Sequence, residues 1–219
     1  MNIYPSILTD SPDLARQQLL QAAELEHIEC VQIDIIDGKF ADNITITPAD
    51  LPYLDFSHLE CDIHLMTEEP MDYVFELSGL KSMIPVRAVL GQIERMSKQT
   101  FFLEEVQKQG WKPGLSLDIF TPLESIDEES WQFIEVIQLM SVEAGAQGQD
   151  FNQLVLEKIK ELQQFLTSQK LEAEICIDGG INQKSITGVK RLGVDSIVVG
   201  SSLWESSQKQ ELLNVLQNV

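Results

Sequence analysis

Three apolar runs of the sequence carry polar side chains at or near their ends: Val31-Gln32-Ile33-Asp34-Ile35-Ile36-Asp37-Gly38, Cys61-Asp62-Ile63-His64-Leu65-Met66 and Cys176-Ile177-Asp178-Gly179-Gly180. Carboxylates and an imidazole move protons and hold divalent cations. The runs are about 30 and then about 110 residues apart, multiples of a strand-plus-helix unit of roughly 27 residues. Side chains alternate along a strand, so Gln32 shares a face with Asp34, and Asp62 with His64 and Met66. Asp178 ends its run just before a Gly-Gly turn. Singly, each has a plain structural reading, as a loop cap or a hydrogen-bonded core residue. Together they have the placement by which a barrel enzyme gathers a site from distant strands.

The elements that must position these residues alternate along the whole chain. Strands are expected at Asn2 to Leu8, Cys30 to Ile35, Glu60 to Met66, Met83 to Ala88, Lys112 to Asp118, Phe133 to Met140, Ala173 to Asp178 and Asp195 to Gly200. Between them the apolar spacing predicts helices over Asp13 to Glu26 (after Ser11-Pro12), Pro70 to Ser78, Ser97 to Gln109, Phe151 to Leu166 and Asn182 to Leu192. Short helical turns open at Thr47-Pro48 and Thr121-Pro122, and a last helix runs from Lys209 to Val219. Eight such units in 219 residues, with no linker or repeat tract, predict one (β/α)8 TIM barrel over residues 1–219. A doubly wound open sheet has the same alternation and is the alternative.

Composition narrows the partners. Thirty-five acidic against fifteen basic residues give a formal charge of −20, adverse to nucleic acid and to anionic membrane surfaces. No apolar run is long enough to span a bilayer and the first ten residues lack a secretory pattern, so a cytoplasmic location is expected. Cys30, Cys61 and Cys176 fall in apolar runs without CxxC spacing and are expected as buried, reduced thiols. Three glycine-bearing turns follow the last three strands: Gly145-Ala146-Gln147-Gly148, Gly179-Gly180 and Gly200-Ser201-Ser202. Glycine lets backbone N–H groups approach an anion closely, and these are the barrel loops that commonly hold phosphate.

The chain resembles the ribulose-phosphate 3-epimerase family over nearly its whole length. The resemblance is carried by Pro5-Ser6-Ile7-Leu8, Asp34-Ile35-Ile36-Asp37-Gly38-Lys39-Phe40, Asp62-Ile63-His64-Leu65-Met66, Met140-Ser141-Val142, Gly148-Gln149-Asp150-Phe151 and Asp178-Gly179-Gly180-Ile181. It implies a barrel that interconverts D-ribulose 5-phosphate and D-xylulose 5-phosphate around one divalent metal (Mn, Mg, Zn or Fe). It further implies Asp34 and Asp178 as acid and base, and His64, Asp34 and Asp178 as metal ligands. Ser6, Met66 and Met140 would line the pocket, with Gly145, Gly148, Gly179, Gly180, Gly200 and Ser201 around the phosphate. Homo-oligomers are usual in that family.

Several positions depart from the family pattern. Gln32 stands where the family has its first histidine ligand, and would ligate through a carbonyl oxygen, favouring Mg²⁺ or Mn²⁺. Arg87 stands where the family has another histidine. Pointing inward beside the strand of His64, it would supply charge in place of a missing metal; the other reading pairs it with a surface carboxylate. Glu143 and Asp118 add negative charge near the expected sugar pocket. The sequence thus predicts an epimerase acting at C3 of a phosphorylated ketose, the alternative being a phosphosugar-binding barrel without turnover.

Overall fold

The structure, a computed structural model, describes residues 1–218. Eight parallel strands close on themselves in chain order: β1 (Asn2–Ile7), β2 (Cys30–Ile36), β3 (Glu60–Met66), β4 (Val86–Gln92), β5 (Lys112–Leu117), β6 (Val136–Met140), β7 (Glu174–Asp178) and β8 (Ser196–Val199). β1 pairs with β8, so the sheet closes and the open-sheet alternative falls away. The helices are α1 (Pro12–Ala23), α2 (Met71–Leu80), α3 (Gln99–Lys108), α4 (Leu154–Gln169), α5 (Ile186–Arg191), α6 (Ser201–Trp204) and α7 (Lys209–Asn218). Val219, the end of the expected last helix, lies outside the described residues.

Local chemistry accounts for the element ends. At α1, Ser11 accepts a hydrogen bond from the Leu14 N–H and Pro12 opens the helix, as the sequence predicts. β4 begins three residues later than expected and runs on to Gln92, because Pro85 has no N–H to contribute before it. α5 begins at Ile186 rather than Asn182: the Asn182 side chain accepts from Lys184 and Ser185 N–H, which holds that segment in a turn. α6 and the 3-10 turn at Glu128–Phe133 carry no apolar period long enough to be read from sequence.

Two apolar regions result from strand alternation. The outward face of the sheet packs under the helices through residues such as Ile33, Ile63, Leu115, Ile137 and Ile177. The inward face forms a smaller cluster of Tyr4, Cys30, Ala88, Leu90, Val136, Cys176 and Val198, which plugs the middle of the lumen. All three cysteines are buried and free, as expected.

Below that plug the lumen is ionic. Cys61 pairs with Val86 but Asp62 with Ala88, so Arg87 is the extra residue of a β-bulge. The bulge turns its guanidinium into the lumen floor, where it binds the Asp62 carboxylate through Nε at 2.7 Å and through Nη2, and Glu174 through Nη1 at 2.8 Å. Its carbon centre lies 4.8 Å above the Tyr4 ring. Arg87 therefore points inward, but at the far end of the lumen from the strand ends; its charge is taken by Asp62 and Glu174 and does not replace a metal beside His64. Burial holds the Asp62 carboxyl above the usual carboxylate range despite Arg87. At Glu174 burial acts in the same direction, but hydrogen bonds from Arg87, Ser196 and Tyr4 outweigh it and hold the group low.

Removing one partner of a buried pair leaves an uncompensated charge, so Arg87→Met should cost about 3–5 kcal/mol in urea unfolding. A loss below about 1 kcal/mol, the range of an exposed pair, would contradict the arrangement.

Candidate functional site

Above the apolar plug, at the C-terminal ends of the strands, three of the expected residues meet. Asp34 near the end of β2 pairs in register with His64 on β3, and Asp178 is the last residue of β7, in register with Met140 on β6. One ligand-type atom from each of Asp34, His64 and Asp178 lies within 4.8 Å of the others. His64 is fully buried and Asp34 is 2% exposed, so neither carboxylate nor ring is screened by bulk water.

The carboxylates are held by donors from four strands. Ser6 Oγ donates to Asp34 Oδ2, and His64 Nδ1 sits 2.9 Å from Asp34 Oδ1. Gln32 Nε2 donates to Asp34 Oδ1 at 2.8 Å and to Asp178 Oδ2 at 2.7 Å. The expectation for Gln32 was a carbonyl oxygen facing the centre; the side chain presents its amino group instead, because an oxygen there would face two carboxylates without a donor between them. Gln138 on β6, which sequence reading did not single out, donates to Asp178 Oδ2 at 3.2 Å. Its signal was available: Gln138 lies two residues before Met140 on a strand, hence on the same inward face. Burial, reinforced by the Asp34 charge, pushes Asp178 up to about 6.

A cavity of about 280 Å³ opens over this centre. Ser6, Asp34, Met66, Met140 and Asp178 line its base, and Gly145, Gly148, Gly179, Gly180, Gly200 and Ser201 its rim. His64 and Gln32 lie beneath it. Gly180 has φ +58, and a Cβ there would stand 2.4 Å from the Phe151 nitrogen, so the turn must come this close to the neighbouring loop without a side chain. Gly145 has φ +114, and a Cβ would meet the Ala41 methyl at 2.3 Å. Asp37 takes no part in the cavity; it accepts the Lys39, Phe40 and Glu68 N–H groups and fixes the loop after β2.

The rim is acidic. Glu143, as expected, and Asp150 and Glu205, which were not foreseen, line the cavity, and among its described lining residues there is no lysine or arginine. Asp118 is not at the cavity. Its Oδ1 accepts the Ala144 N–H at 3.0 Å and so anchors the loop that carries Glu143.

Comparison with known proteins decides the family. The model of the ribulose-phosphate 3 epimerase family matches residues 2–204. The chain belongs to the ribulose-phosphate 3-epimerase family. Among curated relatives, the ribulose-phosphate 3-epimerase of Bacillus subtilis is 30% identical over 225 residues, covering 99% of this chain and 98% of that protein. That of Helicobacter pylori J99 is 29% identical over 221 residues, covering 100% and 98%. Solved structures agree on the fold. A tryptophan synthase α-subunit mutant from Pyrococcus furiosus superposes with TM-score 0.71 at 14% identity, over 100% of this chain and 98% of that one. A 3-hexulose-6-phosphate synthase gives 0.70 at 12%, over 99% and 98%. Among the described residues no helix is long and apolar enough to cross a membrane.

The support under the rim makes a pH-dependent prediction. Lys158 of α4 is 7% exposed and donates to the Asp118 carbonyl at 2.6 Å. Burial lowers its ammonium to about 8, against partial compensation from Glu94, Asp118 and Glu161. The native lysine sheds its proton before the unfolded one, so the unfolded state binds more protons between pH about 8 and about 10.5, and stability from this group rises with pH across that window. The stability advantage of the wild type over Lys158→Met should therefore grow from pH 7.5 to pH 9.5, on the order of those bounds. A constant or shrinking difference in urea melts would show that the lysine is not desolvated.

Proposed function

We propose that this protein inverts C3 of a phosphorylated pentulose, interconverting D-ribulose 5-phosphate and D-xylulose 5-phosphate, by proton transfer between Asp34 and Asp178. The observation that carries the reading is the convergence of these two carboxylates from β2 and β7 at the base of one cavity, in a chain of this family. Epimerisation next to a carbonyl removes a proton from one face of the carbon and returns one to the other. One ionised aspartate takes the C3 proton; the C–H electron pair moves into a C2–C3 double bond and negative charge develops on the C2 oxygen. The other aspartate, carrying a proton, gives it to the opposite face of C3 as the carbonyl re-forms. The raised Asp178 fits the proton-carrying partner, and Asp34, bound by Ser6, His64 and Gln32, fits the ionised one.

The family implies a divalent metal. Asp34, His64 and Asp178 have the right donor types, but the Gln32 amide places an N–H group between the two carboxylates, and no step above passes through a metal. Met66 and Met140 give the sugar an apolar, deformable wall. The phosphate end rests on backbone N–H groups of the Gly179-Gly180 and Gly200-Ser201 turns, since no basic side chain is at hand. The charge of −20 is the support for excluding nucleic acid as a partner.

Exchange of the C3 proton of ribulose 5-phosphate with D₂O, followed by NMR, tests the reading. It should proceed with the wild type and fall by about 10²- to 10⁴-fold in Asp34→Asn and in Asp178→Asn; exchange unaffected by both substitutions would remove the aspartates from the reaction. Glu205 should oppose the dianionic substrate, so Glu205→Gln should lower KM about two- to fivefold at low salt. An unchanged or higher KM would place that carboxylate away from the phosphate.

A further inference from the structure

The two glutamines beside the aspartates present hydrogens, where a metal site presents lone pairs. Gln32 Nε2 bridges Asp34 Oδ1 and Asp178 Oδ2 at 2.8 and 2.7 Å, and so occupies the place between the carboxylates. Gln138 Nε2 reaches Asp178 Oδ2 from the opposite wall at 3.2 Å. The His64 Nδ1 is enclosed by the same groups, 2.9 Å from Asp34 Oδ1 and 3.4 and 3.3 Å from the amide nitrogens of Gln32 and Gln138. The other ring nitrogen and the Gln138 Oε1 are buried without a hydrogen-bond partner. Reversing the Gln32 amide would break both of its bonds to the aspartates and set a third oxygen against them, with Gln138 still presenting N–H. Neither glutamine touches solvent to a useful extent, at 1% and 0% exposure, so water does not supply alternative partners.

We infer that Gln32 and Gln138 take the place of a divalent cation at this centre: their N–H groups hold Asp34 and Asp178 together, and the pair exchanges protons with no bound metal. This rests on the epimerase reading for the reaction and on hydrogen-bond geometry alone for the metal. Gln32 and Gln138 are positioning residues, acting on the substrate through the carboxylates they orient. The chain thus keeps the family's acid and base while replacing the ion between them with neutral amides.

The test is Mn²⁺ titration of metal-stripped protein, read by the EPR signal of the free ion. The wild type should take up no stoichiometric Mn²⁺, while Gln32→His, which removes the bridging amide and adds a ring nitrogen, should bind one ion per chain roughly 100-fold more tightly. Stoichiometric uptake by the wild type with an affinity within about tenfold of that variant would overturn the inference. Should Gln32→His fail to fold, the wild-type titration decides alone: stoichiometric binding overturns the inference and its absence supports it. Wild-type C3 exchange undiminished by chelator is the second expected result, and exchange that appears only on adding metal overturns it. Absence of exchange in every preparation would count against the epimerase reading, and the Mn²⁺ titration would still decide the inference.

Discussion

A closed lumen too narrow to admit much water must neutralise whatever charge its strands point inward. This barrel points four carboxylates inward, Asp62 and Glu174 below the apolar plug and Asp34 and Asp178 above it. An unpaired buried carboxylate is costly enough to unfold a domain or to force protonation. The two ends meet this constraint by different chemistry. The floor uses a cation, Arg87, braced by two carboxylates and an aromatic face. The upper centre uses a serine hydroxyl and two amides as donors, beside the ring of His64. A guanidinium neutralises charge and fixes geometry, which suits a structural floor. Amides fix geometry without adding a charge, which suits the proton transfer proposed for this site.

The fold was legible because its signal is periodic. Apolar runs at regular intervals, with capped helices such as Ser11-Pro12 between them, specify eight strand-and-helix units, while closure is shown by the pairing of β1 with β8. Asp34, His64 and Asp178 were legible for the same reason, since strand parity and position near a strand end together place them at one mouth. Parity failed where the backbone departed from it. The strand of Arg87 was expected at Met83 to Ala88, which set Arg87 near its C-terminal end; β4 is Val86–Gln92, which sets it near the N-terminal end, and the bulge there breaks the count of alternation. Gln32 was found, but the sequence could not show which end of its amide faces the centre, since that is set by Asp34 and by Asp178, the latter on a strand more than a hundred residues away in sequence. Asp150 and Glu205 were missed because exposed carboxylates in an acidic chain carry no distinguishing pattern.

The acidic rim and the amide-held centre bear on the same question from opposite ends of the substrate. At the centre the acids are kept; at the rim Glu143, Asp150 and Glu205 surround turns whose N–H groups are the local source of positive potential. An anionic ligand entering this mouth trades hydrogen bonds from the backbone against repulsion from three side chains. The balance depends on ionic strength, because the carboxylates are exposed and screened while the turn N–H groups make direct contact.

The indole of Trp204, just after the last strand, donates its N–H to the carbonyl of Ser6 at 2.6 Å, 198 positions earlier. Ser6 in turn holds Asp34. This seam between β8 and β1 cannot exist on a ribosome until Trp204 has emerged, whereas β2 and β3 are available to pair much earlier in synthesis. For most of its elongation the nascent chain therefore exposes Asp34 and His64 to water, without Asp178 opposite and without a completed cavity. The cavity is not complete until β8 has been made, and a chain released before it would lack the closing strand on which the seam depends.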